Sequence, residues 1–150
     1  MTTMPSIVRR LIATGAARAD EIRGCTEHEI THIRTDQGVP RLPASYVHFL
    51  RVMGRGAGRL LPGTDAFYPH LLGLKADTRA LFQQGGFTLP GFADIVTIAI
   101  YQRREAYWLE TFRDDDPCVF RYHHLDQAPC QYWPNLTSFL ADATADTRRH

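Results

Sequence analysis

Residues 26–34 read TEHEITHIR and contain the pattern H-E-x-x-H. His28 and His32 lie one helical turn apart, with Glu29 beside the first. In a zinc protease this spacing supplies two metal ligands and a general base. Helix geometry argues against that use here. At about 100° per residue, Ile30, Ile33 and Gln37 gather on one side and the two histidines on roughly the opposite side. The buried stripe therefore points away from the histidines, whereas a protease aims them into a cleft. The third ligand is also absent. The extended motif needs glycine at 35 and histidine at 38, where the chain has Thr35 and Gly38. A ligand from a later helix would have to be a glutamate, but Glu105 and Glu110 fall in expected strands, and two histidines alone make a poor catalytic site. Glu29 also has a structural role open to it. Thr26-Glu27-His28-Glu29 fits the capping box, in which threonine and glutamate satisfy each other's backbone N–H groups.

The same test applies to the other reactive clusters. Cys118, His123, His124 and Cys130 lie close enough in sequence to suggest zinc, but their spacing matches no familiar finger. On a strand, Cys118 and His124 share one face and His123 takes the other. Asp114, Asp115 and Asp116 form a run of carboxylates without the spaced ligands of a calcium loop. Such a run suits a solvated hairpin turn, or contact with a partner's basic patch. GRGAG at 54–58 lacks the G-K-[ST] of a phosphate loop and follows a helix instead of preceding one, so it reads as a turn. No G-x-S-x-G is present. Asn135-Leu136-Thr137 matches a glycosylation sequon, which has no meaning in the cytoplasm.

The elements that would position these residues follow from periodicity. Residues 6–14 predict a short helix burying Ile7 and Leu11. A second helix runs from Thr26 to a stop at Gly38. LPASYVHFLRVMG predicts a third, with Pro43 in its first turn and Tyr46, Phe49, Leu50 and Met53 inward. RLL predicts a short strand before the Pro62-Gly63 turn, with a helical turn after Asp65. KADTRALFQQ predicts a helix burying Leu81 and Phe82. DIVTIAIYQ is apolar on both faces and predicts a strand covered on both sides. AYWLETF, CVFRYHH and QYW predict further strands joined by short links, hence an antiparallel meander. LTSFLADATADTRR predicts a closing helix with Phe139, Leu140 and Ala143 inward. Strands in one run flanked by helices give an α+β class. Trp108, Tyr107 and Trp133 read as core, with one of them on the rim of a binding face.

The chain has 150 residues, and 1–150 reads as a single domain with a sizeable core. Its net charge of +1 gives no electrostatic footprint for nucleic acid. The apolar runs are too short for a bilayer, and two arginines interrupt the only N-terminal apolar stretch, so no secretory signal is expected. Three cysteines without a C-x-x-C pair suit reduced thiols. A cytoplasmic protein is expected.

EITHIRTDQGVPRLPASYVHFLRVMGRGAG resembles the opening signature of the SUKH superfamily, the homologues of a fungal cell-wall-synthesis regulator. The matching residues are Glu29, Ile30, Gly38, Leu42, Pro43, Tyr46, Phe49, Leu50, Gly54 and Gly58. Asp116, Pro117 and Val119 resemble the later Asp-Pro-x-Val, and YWPNLTSFLAD is similar to the closing helix segment, so the resemblance spans roughly 22–142. Arg34 stands where a second glutamate is usual, and Met53-Gly54 replaces Asn-Gly. The resemblance implies an α+β fold, a twisted and mainly antiparallel sheet with helices packed around it. It implies a non-catalytic bacterial immunity protein that binds a cognate toxin domain of a polymorphic toxin system, often a nuclease. An intracellular regulatory scaffold is the alternative, and a zinc hydrolase using the HEITH helix a third. No cofactor, metal, nucleic acid or membrane contact is expected. The candidate partner-binding residues are Asp65 and Tyr68 in one polar loop and Asp114, Asp115 and Asp116 in the hairpin turn.

Overall fold

The computed structural model describes residues 3–111, 115–126 and 128–146. Among these the architecture is α+β, with five α-helices and two antiparallel sheets. Helix α1 (Met4–Ala13) opens on a capping box between Thr3 and Ser6 and buries Met4, Ile7 and Leu11. It starts before the expected residue 6 because Thr3, followed by Pro5, supplies an N-terminal stop of its own. Helix α2 (Glu27–Gln37) carries the expected box: Thr26 Oγ1 accepts from the Glu29 N–H at 3.1 Å, and Glu29 Oε1 accepts from the Thr26 N–H at 2.9 Å. It ends at Gly38 in the left-handed conformation, φ 69°. Helix α3 (Ala44–Met53) buries Tyr46, Phe49, Leu50 and Met53, with Pro43 at its N-cap and not inside the first turn.

Strands β1 (Ile22–Arg23) and β2 (Gly56–Ala57) pair into a small ribbon joining the approach to α2 with the exit from α3. The ribbon explains GRGAG. A Cβ at Gly58, where φ is +60°, would lie 2.5 Å from the Ala16 carbonyl oxygen. The glycine lets two backbone segments touch, and the Arg59 N–H donates to Ala16 O at 2.9 Å.

The main sheet contains β3 (Thr64–Asp65), β4 (Ile95–Tyr101), β5 (Glu105–Glu110), β6 (Val119–His123) and β7 (Cys130–Trp133), in that spatial order. Every pairing is antiparallel, and β4 to β7 form the expected meander. The strand expected before the Pro62-Gly63 turn lies after it. Leu61 and Gly63 both have positive φ, 52° and 73°, which breaks extended geometry until Thr64.

β4 is buried along its length except at Tyr101. Helix α4 (Leu74–Gln84) covers one face of the sheet, where Phe82 meets Trp108 and Tyr122 edge-on at 5.2 Å and 5.1 Å. Helix α5 (Leu136–Asp146) covers the other face, where Phe139 lies 5.2 Å from Tyr107 and 4.7 Å from Trp133. α1 and α3 pack against α5 in turn. No helix among the described residues is long and apolar enough to cross a membrane.

β3 reaches only Ile100 and Tyr101 of β4. Further along the same strand, the backbone of Thr97 bonds to a side chain instead. Gln37 Nε2 donates to Thr97 O at 2.7 Å, and Gln37 Oε1 accepts from the Thr97 N–H at 3.0 Å. Both residues are buried. Lys75 Nζ holds the end of α2 by donating to Gln37 O at 2.7 Å. One amide therefore does for Thr97 what a neighbouring strand would do.

Candidate functional site

The HEITH helix presents its histidines to solvent and its isoleucines to the core, as the wheel requires. Glu29 is engaged in other contacts. Beyond its capping bonds, it receives a two-point contact from Arg55, with Arg55 Nε at 3.1 Å from Oε1 and Nη2 on Oε2. The Arg55 guanidinium, and then the Thr26 N–H, hold the Glu29 carboxyl below its ordinary range. Arg55 also lies 5.2 Å from the centre of the Tyr68 ring, and the Tyr68 hydroxyl sits 3.2 Å from His32 Nδ1. Tyr68 is thus half-buried in a network that braces the outer face of α2. Beside it, burial and then the Glu29 charge push the Cys25 thiol up to about 11.

The remaining sequence candidates separate. Asp65 is exposed, and it lies in edge strand β3 instead of a loop. Asp115 is exposed, and its carbonyl accepts from the Ser45 N–H at the start of α3. Asp116 is committed to α5: Oδ1 accepts from the Leu136 and Thr137 N–H groups at 3.0 Å and 3.3 Å, and Oδ2 from the Thr137 hydroxyl at 2.7 Å. Asn135 caps the same helix through Ser138 N. Asp114 lies outside the described residues. The hairpin and Tyr68 anchor at opposite ends of α3, since Tyr68 N donates to Gly54 O. A ten-residue helix separates its ends by about 15 Å, so these candidates form no single site. In the cysteine–histidine cluster, the His123 and His124 rings pair at 4.4 Å and His123 Nδ1 accepts from Leu125 N. Among the described residues no three His, Cys, Asp or Glu side chains are grouped to hold a metal.

The residues that do converge were not singled out together. Strand alternation turns Glu105 and Tyr107 to the face opposite Trp108. The Tyr107 hydroxyl donates to Glu105, and Arg121 Nε donates to Glu105 Oε2 at 2.7 Å. Helix α5 lays Phe139, Asp142 and Ala143 over this face at helical spacing. Trp133 Nε1 donates to Asp142 Oδ2 at 2.7 Å. The turn at Leu61 and Pro62 closes the other side, with the Tyr101 ring on the rim. The result is a cleft of about 220 Å³, walled by aromatic rings and bordered by Glu105 and Asp142. Of the three aromatics expected in the core, Trp108 is there, whereas Tyr107 and Trp133 line the cleft. Period-two alternation through AYWLE, and the spacing of Phe139, Asp142 and Ala143, were the available signals.

The cleft offers aromatic rings and hydrogen-bonded carboxylates. No protein-family model matches the chain, and neither does any curated protein.

Proposed function

We propose that this chain is a non-catalytic bacterial immunity protein of the SUKH type, which neutralises a cognate toxin domain by stoichiometric binding in the cytoplasm. The observation that carries this reading is the fate of the carboxylates. Glu29, Glu105 and Asp116 each accept a hydrogen bond inside the molecule. Carboxylates held in this way brace a surface, while general acid–base work needs one within reach of a substrate proton. The motif resemblance supplies the kind of partner.

The test is co-purification from the native host, followed by co-expression. The tagged chain is expected to bring down the C-terminal domain of a large secreted protein in a one-to-one complex. Co-expression is expected to rescue growth of cells producing that domain. Recovery of housekeeping regulators alone would move the assignment to the regulatory scaffold. Stoichiometric zinc that is lost on changing His28 and His32 to alanine would move it to a hydrolase.

A further inference from the structure

We infer that the cleft between α5 and the sheet is the anchor pocket for one basic side chain, arginine or lysine, presented by the protein partner. This rests on the binding reading above and names the chemistry of its contact. Three observations converge. Among the described residues, the lining includes two carboxylates and no lysine, arginine or histidine. Glu105 is already matched by Arg121, but Asp142 is exposed on α5 and accepts from a neutral indole N–H, and among the described residues no cation pairs with it. The rim ring, Tyr101, is 39% exposed, one of three large hydrophobic side chains exposed among the described residues.

An aromatic ring beside a carboxylate attracts a cation through both the ring quadrupole and the charge. The molecule uses this device internally, with Arg55 held by Glu29 and set against Tyr68, and it also sets Arg79 against Phe92 at 4.7 Å. A neutral ligand fits less well. A partner covering the cleft would strip water from Asp142, and an unanswered charge there opposes binding. The size also suits a side chain: small-molecule sites usually span about 300 Å³ or more, and this cleft holds about 220 Å³. The cleft is also preformed. A Cβ on Gly63 would stand 3.3 Å from the Tyr101 ring, so the turn already packs on that ring, and the Trp133–Asp142 bond fixes the opposite wall. Preorganised sites lose less on binding.

The test uses the full chain and two probes, N-acetyl-arginine amide and its neutral isostere N-acetyl-citrulline amide, followed by amide and indole NMR shifts. The arginine probe is expected to move the Trp133 indole signal and the amides around Tyr101 saturably, and the citrulline probe to do so at least about fivefold more weakly. Asp142→Asn keeps an acceptor for the indole and removes only the charge. Tyr101→Leu keeps bulk and removes the ring. Each is expected to weaken the arginine probe by roughly three- to tenfold with an unchanged melting temperature. Equal shifts from both probes, or none at tens of millimolar, overturn the pocket. The two readings fail separately. A toxin captured equally well by wild type and both variants refutes the pocket and leaves immunity standing. Arginine-selective shifts with no toxin recovered support the pocket and refute immunity.

Discussion

Replacing Gln37 by methionine tests how the sheet edge is closed. The two side chains have similar length and flexibility, so the exchange leaves little cavity and removes the two-point bond to Thr97. Thr97 N–H and C=O would then be buried without partners, since Gln37 and Thr97 are about 1% and 0% exposed. Each orphaned backbone group costs about 1–3 kcal/mol, so the loss should be roughly 2–5 kcal/mol, reduced if water enters. For a chain of this length that lowers the melting temperature by roughly 5–15 °C. Urea unfolding followed by tryptophan fluorescence measures it, with an unchanged slope showing that the unfolded state is not at issue. Gln37→Glu sharpens the test. An ionised carboxylate can accept from Thr97 N–H but opposes Thr97 O, whereas the protonated acid can serve both. The folded state therefore holds that proton more tightly than the unfolded chain. Stability of this variant should fall as pH rises through its folded-state pKa and return as pH is lowered. A methionine variant within about 0.5 kcal/mol of wild type would falsify the claim that this amide stands in for a strand.

Glu29→Gln should lower stability at neutral pH. The folded carboxyl ionises below its ordinary 4.5, so its contribution is complete above that pH and is lost as pH falls below it. Acid titrations of wild type and variant should therefore converge at low pH; parallel curves refute the Arg55 pairing. Gly24→Ala should cost at least about 2 kcal/mol by chemical denaturation, because its Cβ would stand 1.8 Å from the Arg51 carbonyl oxygen and neither backbone can give way. Asp116→Ala should cost about 1–2 kcal/mol as a lost helix cap, while Asp115→Ala leaves the melting temperature unchanged; equal effects would remove the distinction between them. Cys25, raised to about 11 and buried, should alkylate more slowly than Cys118 in the native protein. At pH 8 its thiolate fraction is roughly 0.1%, and peptide mapping that finds Cys25 modified first would refute its burial.

What could be read along the chain was whatever is decided within a few residues. The capping box at Thr26, the stop at Gly38, the inward stripe of α3 and the doubly apolar β4 are local patterns, and each is present. What escaped depends on partners far apart in sequence. Arg55 meets Glu29 across 26 positions, and Gln37 meets Thr97 across 60. The cleft draws on residues from Leu61 to Ala143. Residue type does not announce such pairs, because an arginine that braces a helix looks like one in solvent. Gln37 is the instructive exception. It falls with Ile30 and Ile33 on the buried side of the α2 wheel, and a polar residue in an apolar stripe needs a buried partner. That partner belonged to a strand whose edge only the fold reveals.

The same division bears on function. The residues that carry the family resemblance fill the core or shape the turns. Leu42, Tyr46, Phe49, Leu50 and Val119 are buried, Gly38 and Gly58 hold left-handed turns, and Asp116 caps α5. Such residues specify a scaffold. Choice of partner has to reside in side chains that can vary without unfolding the chain, and exposed substitutions usually change stability by less than about 0.5 kcal/mol. Tyr101, Asp142, Asp65 and Asp115 meet that condition. Two chains could share every motif residue and bind different proteins through these positions alone. The motif residues therefore account for the scaffold, while the proposed choice of partner would rest on the cleft and the exposed edge beside it.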